Sequence, residues 1–111
     1  MNALLIALLA VFTIGTASPD VDASAKPTLT IHMKAMRFVP DHATVAVGDT
    51  VKFVNDDDDV PHTVTAKDKS FDSGDIGPHK SWSHTFNDAG TIDYFCTYHL
   101  PDMKGRLTVG S

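Results

Sequence analysis

After residue 26 the chain is written in period two. Leu29, Ile31 and Met33 alternate with Thr30, His32 and Lys34. Successive strand side chains point to opposite faces, so this spacing predicts a strand with one face buried. Val45 and Val47 alternate with Thr44 and Ala46; Val51 and Phe53 alternate with Thr50 and Lys52. Val64 and Ala66 follow His62 at the same spacing, and Ser81–Phe86, Thr91–Cys96 and Gly105–Val109 supply three further runs. Turn-forming residues punctuate them at Pro40-Asp41, Asn55 to Asp59, Ser73-Gly74, Gly77-Pro78 and Asp88-Ala89-Gly90. No stretch after residue 26 carries a long apolar repeat of helical period. The chain is therefore expected to be all-β, a sandwich of seven to eight short strands in two packed antiparallel sheets. Tyr94, two residues before Cys96, stands where Greek-key sandwiches place a corner tyrosine.

The amino terminus follows another rule. Residues 4–14 form an unbroken apolar run apart from Thr13. A helix over that run rises about 16 Å, roughly half of a hydrocarbon core. Such a run suits the core of a secretory signal peptide rather than a membrane span. Small residues at Gly15-Thr16-Ala17 and Ala23-Ser24-Ala25 offer cleavage after 17 or after 25. Residues 1–25 are thus expected to be an export signal, leaving one domain over 26–111 with no stable membrane insertion after processing. The expected location is the periplasm or another extracytoplasmic space.

Charge and cysteine content narrow the function. All fourteen acidic residues are Asp, against nine Lys and Arg, for a formal charge of −5. That balance excludes a nucleic-acid partner, which needs a basic face. With the single Cys, Cys96, no internal disulfide can staple the domain. A domain of this size buries only about 60–65% of its unfolded surface. It must lean on close packing or on a bound ligand or metal.

Cys96, His99 and Met103 fall on the expected turn between the last two strands. His62 follows Val60-Pro61 at the start of an earlier strand. A thiolate, two imidazoles and a thioether form a soft donor set. Two His and one Cys in a plane, with a weak axial Met, is the arrangement of a blue-copper electron-transfer site. A short loop can aim three side chains at one point while strands hold its ends. His62 must then be delivered by the fold. A nucleophilic-enzyme reading of Cys96 lacks a third orienting group and an oxyanion loop. Structural zinc gains little from a thioether. The expected protein is not an enzyme.

The residues resemble the cupredoxins, and among them the amicyanin-like small bacterial blue-copper proteins. The likeness spans residues 28–109 and includes Lys34-Ala35-Met36-Arg37-Phe38, Val47-Gly48-Asp49-Thr50-Val51, Phe53-Val54-Asn55, Pro61-His62-Thr63-Val64, Ser83-His84-Thr85-Phe86, Ala89-Gly90-Thr91 and Asp93-Tyr94-Phe95-Cys96-Thr97. The resemblance implies a Greek-key sandwich and one type 1 copper ion on His62, Cys96, His99 and Met103. It also implies single-electron transfer between periplasmic redox proteins, a donor and an acceptor. Two features depart from the pattern. Amicyanin-like loops place two residues between the last His and the Met, and plastocyanin-like loops place four; here Leu100, Pro101 and Asp102 intervene. The family's usual Asn after the first His ligand is Thr63 in this chain. Thr can supply part of the hydrogen bonding that ties the ligand loop to the neighbouring strand.

The remaining candidates have blander roles. Met33 and Met36 are expected to pack in the core, as are Trp82 and Phe86. His32, His42, His79 and His84 read as solvated or hydrogen-bonded surface residues rather than a second metal site. Asp56 to Asp59 read as a solvated, self-repelling loop, the sharper alternative being an acidic patch that steers a basic partner. Pro61, Tyr98, Leu100 and Pro101 are expected to surround His99 with an apolar rim, where a transient interface of a monomeric carrier would form. The alternative function is a copper carrier or chaperone that hands over metal instead of electrons.

Overall fold

The computed structural model describes residues 27–111, so the expected export signal lies outside the described residues. Eight strands follow in order: β1 Leu29–Lys34, β2 Arg37–Val39, β3 His42–Ala46, β4 Asp49–Asn55, β5 Thr65–Ala66, β6 Ser81–Phe86, β7 Gly90–Phe95 and β8 Lys104–Gly110. They form two four-stranded sheets, ordered β2-β1-β4-β6 and β3-β8-β7-β5. No helix occurs among the described residues. The all-β sandwich is as expected, with one correction: the sheets are mixed. β1 runs parallel to β4, and β3 runs parallel to β8. The cause is a crossing of sheets. After the β1–β2 hairpin the chain moves to the other layer as β3, then returns as β4 on the far side of β1.

The period-two pattern builds the core where it holds. Ile31, Met33, Val51, Phe53, Leu107 and Val109 lie on the inner faces and are buried. Tyr94 reaches across the interior, meeting Phe38 at 4.8 Å and Phe53 at 5.6 Å, both edge to face. These are favourable aromatic geometries at the centre of a small core. The corner-tyrosine expectation fails in its bonding: the buried Tyr94 hydroxyl finds no hydrogen-bond partner among the described residues. Burial, helped by Asp41, pushes that phenol far above its ordinary range.

Three local expectations are corrected, and one strand was not foreseen. β2 is too short to show a period. The Val64 run contributes only Thr65–Ala66 as strand, preceded by an isolated bridge between His62 and Ile76. Val47 lies past the end of β3 and is 43% exposed. Met36, expected in the core, is 54% exposed. It shares the two-residue β1–β2 turn with Ala35, both with positive φ, 61° and 54°. Such primed turns match the strand twist but usually take Asn or Gly.

His84 is another departure. It belongs to an inward-facing row with Trp82 and Phe86, covered by Phe71. Its ring stacks on Trp82 at 5.2 Å and 15° and lies 5.0 Å from Phe71 and 4.8 Å from Phe86. Partial burial among these rings lowers its pKa from 6.5. The folded protein therefore resists a proton that the unfolded chain accepts. This contribution to stability is full above pH 6.5 and is lost as pH falls through the folded pKa. Urea unfolding of wild type and His84→Phe between pH 7 and 5.5 should show a steeper loss in wild type; equal slopes would remove the effect.

Opposite Tyr94, on β8, stands Gly105. A methyl group there would overlap the Cζ, Cε2 and Oη atoms of Tyr94. The ring can cross the sheet only because this position has no side chain. Gly105→Ala should cost about 1–3 kcal/mol in urea unfolding, as overpacked cores do. The cost should shrink in a Tyr94→Leu background, a coupling that a double-mutant cycle reads directly.

Candidate metal centre

The site forms where β7 ends and β8 begins. Cys96 is the first residue after β7, and Met103 the last before β8. The ladder between these strands continues one rung past its last strand pair, Phe95 with Lys104: the Cys96 amide donates to the Met103 carbonyl at 3.0 Å. Within the loop so closed, the His99 amide donates back to the Cys96 carbonyl at 3.3 Å. The His99 carbonyl accepts from the amides of Asp102 at 3.0 Å and Met103 at 3.1 Å. The three-residue spacer is thereby wound into a turn that returns Met103 to the side of Cys96.

His62 arrives from the β4–β5 connection. Its backbone pairs with Ile76 in both directions, at 3.1 and 2.8 Å. Its ring is fully buried and presents Nδ1 to the Cys96 sulfur at 3.7 Å. The His62 and His99 rings lie 5.2 Å apart. One donor atom from each of His62, Cys96 and His99 falls within 4.8 Å of the others. Among the described residues these three form the one such group of His, Cys or Asp. Cys96 and Met103 are wholly buried. Nε2 of His99 is buried yet has no hydrogen-bond partner among the described residues. A histidine with an orphaned buried nitrogen, grouped with a thiol and a second imidazole, fits a soft, thiophilic metal ion.

Thr63 ties the two halves together. Its amide donates to the Cys96 sulfur at 3.4 Å. Its hydroxyl accepts from the Thr97 amide at 3.0 Å and lies within hydrogen-bond reach of the Thr97 and Thr65 hydroxyls. So Thr does span from the first histidine's loop to the cysteine's strand end, as the sequence led us to expect. Tyr98 fastens the loop from outside: its hydroxyl donates to the Asp75 carboxylate, 2.7 and 2.8 Å from the two oxygens. That bond, with burial and the Asp75 charge behind it, raises the Tyr98 pKa.

The acidic run departs from expectation. Asp56 meets His32 at 2.7 Å, Asp57 meets His62 Nε2 at 2.6 Å and Asp58 meets His79 at 2.8 Å. Three of the four carboxylates thus face a histidine, so mutual repulsion is not the governing feature of this loop. The hydrogen bond from His62 does most to hold the Asp57 carboxyl below 3.8; partial burial opposes it, while the Ala35 amide and the Lys34 charge assist. Asp57 was not singled out from the sequence, nor was Asn55, whose buried side chain organises the loop. Asn55 donates to the carbonyls of Val60 at 2.8 Å and Ile76 at 2.9 Å, and accepts from the Asp57 amide at 2.9 Å. An Asn followed by acidic residues at the end of a strand was the available signal for such a turn.

The rim around His99 is as expected in part. Tyr98 and Leu100 are 51% and 58% exposed, and Pro101 is exposed; Pro61 is half-buried, as is His99 itself.

A two-layer mixed sandwich with a His-Cys-His cluster built from the β4–β5 connection and the loop between its last two strands defines a cupredoxin, and the comparisons agree. Residues 4–109 match the family model for the cupredoxin-like domain, and the chain belongs to that family. It is 33% identical over 98 residues to amicyanin from Paracoccus versutus, covering 84% of this chain and 70% of the relative. The copper(I) form of an amicyanin variant superposes with a TM-score of 0.69 at 31% identity, over 77% of this chain and 84% of that one. A copper-containing nitrite reductase from Thermus scotoductus superposes with a TM-score of 0.70 at 30% identity, over 78% of this chain. This chain spans only 23% of that enzyme.

Replacing Thr63 tests the clasp. Thr63→Val removes the acceptor of the Thr97 amide and should cost about 1 kcal/mol in urea unfolding, the usual net worth of such a bond. Exchange of the Thr97 amide proton should accelerate, whereas Thr63→Ser should keep both near wild type.

Proposed function

We propose that the protein is a type 1 copper protein acting as a single-electron carrier, with His62, Cys96, His99 and Met103 as the metal donors. The observation that carries this reading is the convergence of His62, Cys96 and His99 donor atoms within 4.8 Å at one end of the sandwich. Met103 enters through its complete burial and the backbone rung that sets it beside Cys96. The likeness to amicyanin supports the same donor set. Bound there, copper would accept and give up one electron between its two oxidation states.

The chain's own residues serve that task by staying still. The amide of Thr63 supports negative charge on the Cys96 sulfur. The His62 ring is held in the interior, with a carboxylate on one nitrogen and the sulfur facing the other. The Thr63–Thr97 and Tyr98–Asp75 bonds restrain both sides of the cysteine loop. A donor set fixed in this way rearranges little when charge changes, and that favours electron transfer over metal release.

His99 is the donor nearest to solvent, on a loop whose exposed flank is Tyr98, Leu100 and Pro101. A small apolar patch of this kind suits brief contact with a redox donor and acceptor. We read the protein as a monomer in a periplasmic or other extracytoplasmic space, with residues 1–25 as the export signal. No residue is assigned a role as a chemical catalyst.

The oxidised, copper-loaded protein should show an intense visible absorption from its sulfur–copper bond, and Cys96→Ser should abolish it. A colourless copper-loaded protein would overturn the reading. Copper released to an acceptor faster than electrons self-exchange would favour the metal-handing role instead.

A further inference from the structure

Three consecutive aspartates face three histidines, but only the middle pair reaches the metal centre. His32–Asp56 and His79–Asp58 lie at the surface. In the third pair the His62 side chain is 0% exposed and that of Asp57 17%. We propose that Asp57 is a positioning residue of the metal centre: its carboxylate sets the tautomer and orientation of the His62 ring, and its negative charge favours the more oxidised metal. The second half rests on the copper reading above; the first does not.

The tautomer follows from donor counting. An ionised carboxylate only accepts hydrogen bonds. With Asp57 Oδ2 at 2.6 Å, Nε2 of His62 must carry the ring proton. In the neutral ring Nδ1 then keeps a free lone pair, and Nδ1 is the atom that faces the Cys96 sulfur at 3.7 Å. The opposite tautomer would place a proton where a metal must bind. It would also set two lone-pair-bearing groups, Nε2 and the carboxylate, against each other out of water.

Asp57 is itself held. Its Oδ1 accepts from the Ala35 amide at 3.3 Å, and its own amide donates to the buried Asn55 side chain at 2.9 Å. Asn55 in turn donates to the Ile76 carbonyl at 2.9 Å, and Ile76 pairs with the His62 backbone. The hydrogen bonds form a closed circuit: His62 ring, Asp57, Asn55, Ile76, His62 backbone. Ring orientation is therefore set by the carboxylate and by the backbone that carries the ring. A fixed negative charge one hydrogen bond from a metal-binding imidazole makes that imidazole a stronger donor and stabilises the higher metal charge.

Two variants separate geometry from charge. Asp57→Asn retains an acceptor oxygen and loses the charge; Asp57→Leu loses both. Nitrogen NMR of histidine-labelled, copper-free protein at pH 8 reads the tautomer without any metal. Wild type and D57N should show a protonated Nε2 and a bare Nδ1 at His62, and D57L should populate the other tautomer. Copper affinity of D57L should fall by about 10–100-fold, as loss of such outer partners does. The reduction potential of copper-loaded D57N should rise. If D57L does not fold, Asp57→Ala replaces it. A proton on Nδ1 in wild type, or an unchanged tautomer in D57L and D57A, would overturn the positioning role. An unchanged or lowered potential in D57N would overturn the charge effect. A wild type that binds copper without colour would overturn the copper reading and leave the tautomer result standing.

Discussion

The rung from the Cys96 amide to the Met103 carbonyl is the constraint on which the rest of the site depends. It carries the β7–β8 ladder one step beyond the sheet and makes the cysteine and the methionine backbone neighbours. Everything between them is then a closed loop with little freedom. His99 is fixed inside that loop by bonds at both its amide and its carbonyl. The loop is a continuation of the sheet, so its shape is backed by the packing of Tyr94, Leu107 and Val109 behind it. Rigidity in the donor set is thus a property of strand pairing first and of side chains second.

Much of this was legible in the sequence. Period-two runs and turn residues define most of the strands, and the order Cys96, His99, Met103 declares both the chemistry and its place between the final strands. What escaped has physical reasons. A three-residue strand such as β2 shows no period. Val47 and Met36 look apolar and correctly spaced, but each sits in or beside a turn, where alternation no longer reports burial. The crossing of β3 into the second sheet cannot be read from any one segment, so the parallel pairings were not foreseen. His84 alternates as a core residue should, yet its polarity argued for the surface; an aromatic box of Trp82, Phe71 and Phe86 decided otherwise.

The aspartate run illustrates a different limit. As composition, four adjacent carboxylates signal repulsion and solvent. In space, the loop is bent by Asn55 so that successive side chains diverge, and each of the first three finds an imidazole from a distant part of the chain. The partners, at positions 32, 62 and 79, have no sequence relation to the run that could announce them. One of those pairings touches the metal centre and the other two stay at the surface. Equal residues in a row therefore hold unequal roles, decided by curvature of the backbone alone.

The parallel pairing of β3 with β8 has a kinetic corollary. It joins His42 with Arg106 and Ala46 with Gly110, residues from opposite ends of the domain. Contacts so remote in the chain demand that most of the loop entropy be surrendered before they repay it, and such topologies fold slowly. The strand that leads out of the cysteine loop thus pairs with a near neighbour, β7, on one side and with a far segment, β3, on the other. Bringing His62 to Cys96, 34 residues further along the chain, carries a loop-closure cost of the same kind.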